Sequence, residues 1–420
     1  MPASYRLKSQ MELMSRKYCF ASAAPAAVAR EHIPPEAPNR SIHEKPISGN
    51  ITAPFPVNKG YKSDGTVHDP LPKPHTPAGG LALNETPIYH PLSDFDYQSL
   101  SIALYTEWIE LDLFRYALDK FSLKDFEEAG LTKADRALVA YMADQEVGHA
   151  TNIYNMLGPA AAKPCKYKYP FKTVQEFITF SKQVTRIGEA GVLGFIEHLN
   201  SRPSAQLLLQ TVTTEARQQM VFRQFEGLFP MPVWFQTAIT QSMQWSLQAR
   251  YIVSCPEVNH KYPLVWQVFP ELRIVNNPNS TDPHFGPAIS TERTALSHSG
   301  REVKFEFDAP GKQVGPDGKY NTSTNAGTPK FAAWISQLNV TYTPLEDIKL
   351  PKANGDEVGS STTKQPEVPE LYPGLTTHGH HVINGTVFVA LVDDDVYVTP
   401  ANMSELNAHV VAGPALYQSG

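Results

Sequence analysis

Four stretches between residues 92 and 230 space their apolar residues as helices do, and each holds one glutamate inside its apolar row. Residues three, four and seven apart share one face of a helix, so each row predicts a helix with one acidic side chain on its buried face. An unpaired buried carboxylate is costly, and several close together repel one another. Two divalent cations would balance these charges, which gives the pattern a physical reason. The four glutamates are Glu107, Glu146, Glu189 and Glu215.

The order of these acids matches that of a ferritin-like bundle, which takes single glutamates from two helices and Glu-x-x-His pairs from the other two. Glu107 and Glu189 supply the single glutamates, and Glu146-Val-Gly-His149 supplies the first pair. Glu215-Ala-Arg-Gln218 takes the place of the second pair, with glutamine where histidine is expected. We therefore predict a dimetal carboxylate site for two iron or manganese ions. Its predicted ligands are Glu107, Glu146, His149, Glu189, Glu215 and Gln218.

Two alternatives to this ligand set stay open. Glu110 lies one turn from Glu107 and would replace it as the ligand of the first helix. The same acids would also form a buried polar network with Arg115, Arg217 or tyrosines and no metal. Gln218 weakens the metal prediction, because a neutral amide binds transition metals less well than imidazole does.

Three glycines recur at every third position around Glu189. We interpret Gly188, Gly191 and Gly194 as places where another element packs closely against the helix. The alternative is that they leave room for a substrate or oxygen beside the metal ions.

Proline sets the organisation of the chain. The sequence has 36 prolines in 420 residues, which is about 9% against a usual value near 5%. Prolines are dense from residue 25 to residue 91, and they predict an extended arm because proline lacks a backbone donor and resists helix formation. We predict an α+β chain with three regions: an N-terminal leader and Pro-rich arm at 1–88, a ferritin-like helical bundle at 89–276, and a β-rich, sandwich-like region at 277–420.

The bundle is predicted to have four core helices plus a fifth. The first two begin near Ser93 and Thr132, the third covers about 173–200, the fourth opens at Pro203, and the fifth covers about 232–253. In the tail, alternating apolar residues between Gly, Pro and Asn turns predict strands. The strands fall within Glu302–Phe307, Ala332–Tyr342 and Thr386–Val398.

Composition excludes two classes of protein. A net charge of −6 argues against nucleic-acid binding, which needs a concentrated basic face. No run of eighteen apolar residues occurs, so we predict no membrane-spanning helix. The three cysteines allow Cys165 and Cys255 to pair in a disulfide, or to remain two buried free thiols.

Glycosylation sequons bear on the compartment. Chance would give roughly three Asn-x-Ser/Thr sequons in this chain, whereas it has eight and none lies in the helical zone. This distribution predicts a secreted or cell-surface glycoprotein. The leader that secretion needs is atypical or truncated, because no apolar core of 7–15 residues follows the first basic residues. The alternative is a mitochondrial transit peptide, which this Arg- and Ser-bearing, acid-poor start also resembles. The sequons are Asn39, Asn50, Asn84, Asn279, Asn321, Asn339, Asn384 and Asn402.

Three tail segments carry a further signature, together with the helical zone. They are KFAAWISQLN at 330–339, NGTVFVAL at 384–391 and VVAGPALYQ at 410–418. With residues 89–276, they resemble the fungal late-sexual-development and stress-response proteins that have a ferritin-like domain. The resemblance implies a secreted or cell-surface fungal glycoprotein expressed in nutrient limitation and sexual development. The partners to expect are the cell wall and further copies of the chain.

Two functions follow from these observations. The first is a dimetal carboxylate oxidoreductase that acts on oxygen or peroxide. The second is a non-catalytic structural glycoprotein of the cell wall or of development, in which the metal site is vestigial. Neither hypothesis assigns a catalytic residue or a substrate beyond these small molecules.

Overall fold

A computed structural model describes residues 89–279, 296–352, 357–367 and 385–420, all of which lie in the compact unit Lys45–Gly420. These ranges hold an array of helices followed by antiparallel sheets, so the predicted α+β class is confirmed. No helix within them is both long enough and apolar enough to cross a membrane. The helices are α1 (Asp94–Lys120), α2 (Leu123–Glu128), α3 (Lys133–Leu157), α4 (Val174–Phe195), α5 (Arg202–Phe225), α6 (Gln241–Gln248) and α7 (Glu257–Lys261).

Local chemistry fixes where the long helices begin and end. Thr132 and Thr173 begin α3 and α4, and each forms a capping box with an acid three residues later, which satisfies backbone donors that the first turn leaves open. Gly158 ends α3 with a φ of 64°, a conformation that glycine adopts without a steric penalty. Pro203 lies in the first turn of α5, where its missing N–H costs nothing.

The helix α1 is the central element of the bundle. It packs against α3, α4 and α6, while α4 packs against α5. All residues from 99 to 114 are buried, so this stretch has no solvent face. Every acidic side chain that it carries therefore points into protein.

The fifth helix is shorter than predicted, because α6 covers only Gln241–Gln248 of the predicted 232–253. The backbone of the segment before α6 forms a hydrogen bond with α4 instead of continuing the helix. The N–H of Ile239 donates to the carbonyl oxygen of Ala190 over 2.9 Å. A β-carbon added at Gly194 would lie 1.7 Å from the carbonyl oxygen of Ile239, so this chain segment rests directly on the helix. The Thr240 hydroxyl then caps the start of α6.

The long connection between α3 and α4 is tied to the segment that follows α6. Strand β1 (Lys166–Tyr167) pairs with β2 (Ile252–Ser254) in an antiparallel ladder. A disulfide joins Cys165 to Cys255, so the structure has the disulfide rather than the two free thiols.

Two four-stranded antiparallel sheets form the C-terminal region, in the orders β3-β4-β10-β9 and β12-β11-β7-β8. Their strands are β3 (Leu272–Ile274), β4 (Glu302–Phe307), β7 (Phe331–Ser336), β8 (Asn339–Pro344), β9 (Glu346–Lys349), β10 (Gly359–Lys364), β11 (Thr386–Val392) and β12 (Val410–Gln418), and a separate hairpin is made by β5 (Gln313–Val314) and β6 (Tyr320–Asn321). The predicted run Ala332–Tyr342 is a hairpin of two strands that turns at Gln337, whose φ is 52°.

The second sheet lies between the first sheet and the helices. One of its faces, which includes Trp334 and Val389, packs in the same apolar cluster as Phe305 of the first sheet. Its other face, which includes Phe388, packs in a cluster with Ile187 of α4. All seven residues of β11 are buried for this reason.

The layered packing crosses the predicted domain boundary at 276. Strand β3 lies before that boundary, yet it pairs with β4 of the C-terminal region. The boundaries at 88 and 276 therefore stay predictions.

Candidate metal centre

Five side chains from three helices converge inside the bundle. Helix α1 supplies Glu107 and Glu110, α3 supplies Glu146 and His149, and α5 supplies Glu215. Ligand atoms of Glu107, His149 and Glu215 all lie within 4.8 Å of one another, and so do those of Glu107, Glu110 and Glu146. Because the two groups share Glu107, its carboxylate lies between two sets of possible ligands.

The four carboxyl groups of this cluster are removed from water. None of the four glutamates is more than 2% exposed. Within the described ranges, neither oxygen of Glu110 has a hydrogen-bond partner, and neither does Oε2 of Glu215. A buried carboxylate without a donor is costly, so these oxygens need protons or cations.

The imidazole of His149 lies among the carboxylates. Its Nδ1 atom is 3.0 Å from Oε2 of Glu146, 3.4 Å from Oε2 of Glu107 and 3.9 Å from Oε1 of Glu215. Burial lowers the pKa of His149, but attraction to Glu146 and Glu107 is stronger in sum and raises it well above its usual value. A protonated His149 therefore places a positive charge against the metal-free cluster.

Three of the four glutamates have a raised pKa, which favours their protonated form. Burial raises the pKa of Glu107 to about 7, against the opposing attraction of His149. Burial and the neighbouring carboxylates raise the pKa of Glu110 and of Glu215 well above the usual range. Burial also acts to raise the pKa of Glu146, but its contacts with His149 and Gln218 outweigh that effect and lower it. A divalent ion that binds here would displace protons.

Gln218, which stands where the pattern expects histidine, touches the cluster through its amide. Its Nε2 atom donates to Oε1 of Glu146 and, over 3.2 Å, to Oε1 of Gln145. The glutamine therefore orients the carboxylate of Glu146 through a hydrogen bond, as residues that support metal ligands do.

Glu189 is placed differently from the other predicted ligands. It belongs to neither group of close ligand atoms in the described ranges. Its Oε2 atom lies 3.6 Å from a guanidinium nitrogen of Arg186. Burial raises the pKa of Glu189 to about 7, and Arg186 opposes that rise. Its role as a metal ligand stays a prediction.

Sequence reasoning missed Arg186, although its position three residues before Glu189 was a usable signal. Arg115 and Arg217, the suggested partners of the acids, lie elsewhere. Arg115 pairs with Asp144 at 3.0 Å, and Arg217 donates to a backbone carbonyl. Glu110, the alternative to Glu107, joins it in the cluster instead, because residues 99–114 of α1 are buried on all sides.

The three glycines of α4 meet different neighbours. A β-carbon at Gly191 would lie 2.2 Å from the Gln244 side chain, and at Gly194 it would strike the Ile239 backbone. These two positions serve close packing. Gly188 faces the cluster, since a β-carbon there would lie 3.6 Å from Oε2 of Glu215 and 3.7 Å from Oε1 of Glu110.

Four of the eight predicted glycosylation sites lie in the described residues, and they differ in exposure. Asn279 and Asn321 are exposed, while Asn339 and Asn402 are half-buried. The Oδ1 atom of Asn402 accepts from the backbone N–H of Thr399 over 2.7 Å. Asn39, Asn50, Asn84 and Asn384 lie outside the described residues. Glycosylation of all eight stays a prediction.

Comparison with known proteins places the chain in a family. Residues 95–228 match a family model described as a ferritin-like domain, and this range holds every residue of the cluster. The chain is 50% identical to Protein rds1 of Schizosaccharomyces pombe over 376 residues, which cover 86% of this chain and 90% of rds1. The chain belongs to this fungal ferritin-like family. An alignment of 376 residues cannot fit within the bundle, so the family likeness includes the β-rich region.

Proposed function

We propose that this protein holds two iron or manganese ions in the bundle and acts as an oxidoreductase on oxygen or peroxide. The observation that carries the proposal is the group of buried carboxylate oxygens with no hydrogen-bond donor in the described ranges, set around His149. Two divalent ions carry four positive charges, which the carboxylates of Glu107, Glu110, Glu146 and Glu215 would balance. Carboxylate and imidazole ligands suit iron and manganese.

The residues of the chain have distinct tasks in this proposal. Glu107 belongs to both ligand groups, so it would help to hold an ion in either group. His149 would bind as a neutral imidazole through Nδ1, so metal loading releases its proton. Gln218 orients Glu146 from behind. Burial keeps bulk water from the ligands. When bound, iron or manganese supplies the electron transfer that chemistry on oxygen or peroxide needs.

We further propose that the chain is a secreted or cell-surface glycoprotein with a role in stress response or sexual development. The Cys165–Cys255 disulfide supports an oxidising compartment. The asparagines at 279 and 321, the attachment points of two sequons, are exposed. If the proposal holds, protein from the culture medium should migrate faster after enzymatic removal of N-glycans. Recovery only from the cell interior, with unchanged mobility, would refute it.

A second candidate function is a structural glycoprotein of the cell wall or of development with a vestigial site. Two observations favour it. Glutamine replaces histidine at position 218, and Arg186 lies against Glu189. In that case the protonated cluster is a buried polar network that binds no metal.

Elemental analysis separates the two candidates. Protein purified without chelator should contain between one and two equivalents of iron or manganese per chain. Glu107→Gln removes the charge of the shared ligand and should reduce the metal content below one equivalent. Asp119→Asn is the matched control, because Asp119 is exposed at the other end of the same helix. Folded wild-type protein with far less than one equivalent, unchanged by Glu107→Gln, would establish the structural role.

Consumption of peroxide and oxygen by the loaded protein then tests the reaction. Turnover should fall with metal content in the Glu107→Gln variant and stay unchanged in the control. A loaded wild-type protein that consumes neither molecule would contradict the oxidoreductase proposal.

A further inference from the structure

A cleft open to solvent lies beside Arg186. Residues of α4, α5, the segment after α5 and the start of β11 line this cleft of about 420 Å³. Its lining includes three arginines and an apolar set, and none of its lining residues within the described ranges is acidic. The residues that matter are Arg186, Arg217, Arg223, Met220, Met231 and Val233.

The arginines of the cleft differ in how their charges are used. Arg186 is buried; it donates to the side-chain oxygen of Gln236, and Glu189 at 3.6 Å partly balances its charge. Arg223 is also buried and donates to backbone oxygens of Phe229 and Gly420, so the protein itself holds its guanidinium. Arg217 is exposed and donates to the carbonyl oxygen of Thr213. A carbonyl oxygen carries no net charge, and among the described residues no carboxylate lies within 4.0 Å of the Arg217 guanidinium. The cleft therefore has positive charge to offer a ligand.

The apolar part of the lining indicates that the ligand also has an apolar portion. Met220, Met231 and Val233 form an apolar wall beside the arginines, and Met231 is 67% exposed at the surface. Methionine side chains adapt to ligands of varied shape. A volume of about 420 Å³ lies in the range of small-molecule sites.

We propose that this cleft binds a monocarboxylate with an apolar chain. The planar guanidinium fork matches a carboxylate, so Arg217 and Arg186 would hold the head of the ligand. The chain of the ligand would lie on the methionines and Val233. A single negative charge suits the site, because Glu189 already balances part of the charge on Arg186.

This site is independent of the proposed metal chemistry. Residues 107, 110, 146, 149 and 215 are all absent from the lining of the cleft. A carboxylate that instead bound to a metal ion would lose its affinity when Glu107 is changed. The Glu107→Gln variant therefore distinguishes the two places of binding, and failure of one proposal leaves the other standing.

Calorimetric titration of the full chain with octanoate tests the proposal. Octanoate should bind, while acetate lacks the chain and 1-octanol lacks the charge, so both should bind at least about tenfold more weakly. Arg217→Gln should weaken octanoate binding by about tenfold or more. Arg202→Gln removes an exposed arginine from the same helix and should leave the affinity unchanged. Glu107→Gln should also leave it unchanged.

A second variant locates the chain of the ligand. Met231→Asp places a negative charge at an exposed position of the apolar wall and should weaken octanoate binding without unfolding the protein. The proposal is overturned by any of three results: no binding of octanoate, equal binding of octanoate and octanol, or equal effects of Arg217→Gln and Arg202→Gln.

Discussion

The two halves of the bundle supply the metal cluster unequally. Helices α1 and α3 bring two acidic residues and a Glu-x-x-His pair into contact, whereas α4 and α5 bring only Glu215. In the second half, Glu189 lies against Arg186 and Gln218 donates to Glu146. Each of the four helices carries one predicted inward glutamate, so the different placement of Glu189 comes from its neighbours.

The residue one turn before each acid explains the inequality. Leu104 precedes Glu107, Ala143 precedes Glu146 and Val212 precedes Glu215, each by three positions. At the same spacing before Glu189 stands Arg186. A cation three residues away on a helix competes with any ion between the helices. Arg186 therefore competes with a metal ion for Glu189.

The largest expected effect is on the pH dependence of stability in metal-free protein. Glu107 and Glu189, one in each half, have pKa values of about 7 against an ordinary 4.5. The folded state then binds more protons than the unfolded state between pH 4.5 and pH 7, so stability falls as pH rises through this window. Ionisation of each group should lower the free energy of unfolding by about 3 kcal/mol across this window.

Urea unfolding of metal-stripped protein between pH 4.5 and pH 7.5 measures this slope. Glu107→Gln and Glu189→Gln should each remove a part of it, which separates the contributions of the two halves. A stability that is constant or rises across the window would contradict the description of these groups as buried and protonated.

The next largest effect is on stability, when a glycine in each half is replaced by alanine. A β-carbon at Gly194 of α4 would lie 1.7 Å from a backbone oxygen, whereas one at Gly148 of α3 meets nothing within 4 Å. Gly194→Ala should destabilise the protein by about 3 kcal/mol or more. Gly148→Ala should stabilise it by about 0.5–1 kcal/mol, because alanine favours a helix. Thermal unfolding of both variants checks the pair, and equal shifts would show that α4 is not held as described.

Ligand substitutions test the inequality of the halves directly. Glu110→Gln should weaken iron or manganese binding by about 100-fold or more, beyond what loss of a supporting group causes. Glu189→Gln should weaken it by less than about tenfold. Competition with a chelator of known affinity measures both. A larger loss for Glu189→Gln would assign Glu189 to the loaded site and reverse the comparison.

The smallest expected effect is a gain in metal affinity when the missing histidine of the second half is restored. Gln218→His restores the Glu-x-x-His pattern and should tighten metal binding by up to about tenfold, because imidazole is the better ligand. Gln145→His alters the other glutamine in contact with Gln218 and serves as a control that should give no gain. A loss of affinity in Gln218→His would mean that the hydrogen bond to Glu146 matters more than the missing ligand.

Much of the bundle could be predicted because its signals are local. The spacing of Glu146 and His149 and the capping residues Thr132 and Thr173 depend only on nearby sequence. Periodicity could not choose between Glu107 and Glu110, because residues 99–114 of α1 are buried on every side and this stretch has no solvent face.

Other features depend on contacts between distant segments. The segment before α6 is extended because its backbone docks onto α4 at Gly194, and no local pattern records that contact. Strand β11 is buried on both faces because the second sheet lies between two layers. The partners of both segments lie far away in the sequence, so a local pattern does not identify them.

Anomalous X-ray diffraction from crystals of protein purified without chelator tests the central claim most directly. Data collected above and below the iron and manganese absorption edges should show peaks between α1, α3 and α5, within bonding distance of Glu107 and with His149 and Glu215 around them. Their absence at these edges, with the carboxyl groups hydrogen-bonded to one another, would contradict the claim that the cluster is a metal centre.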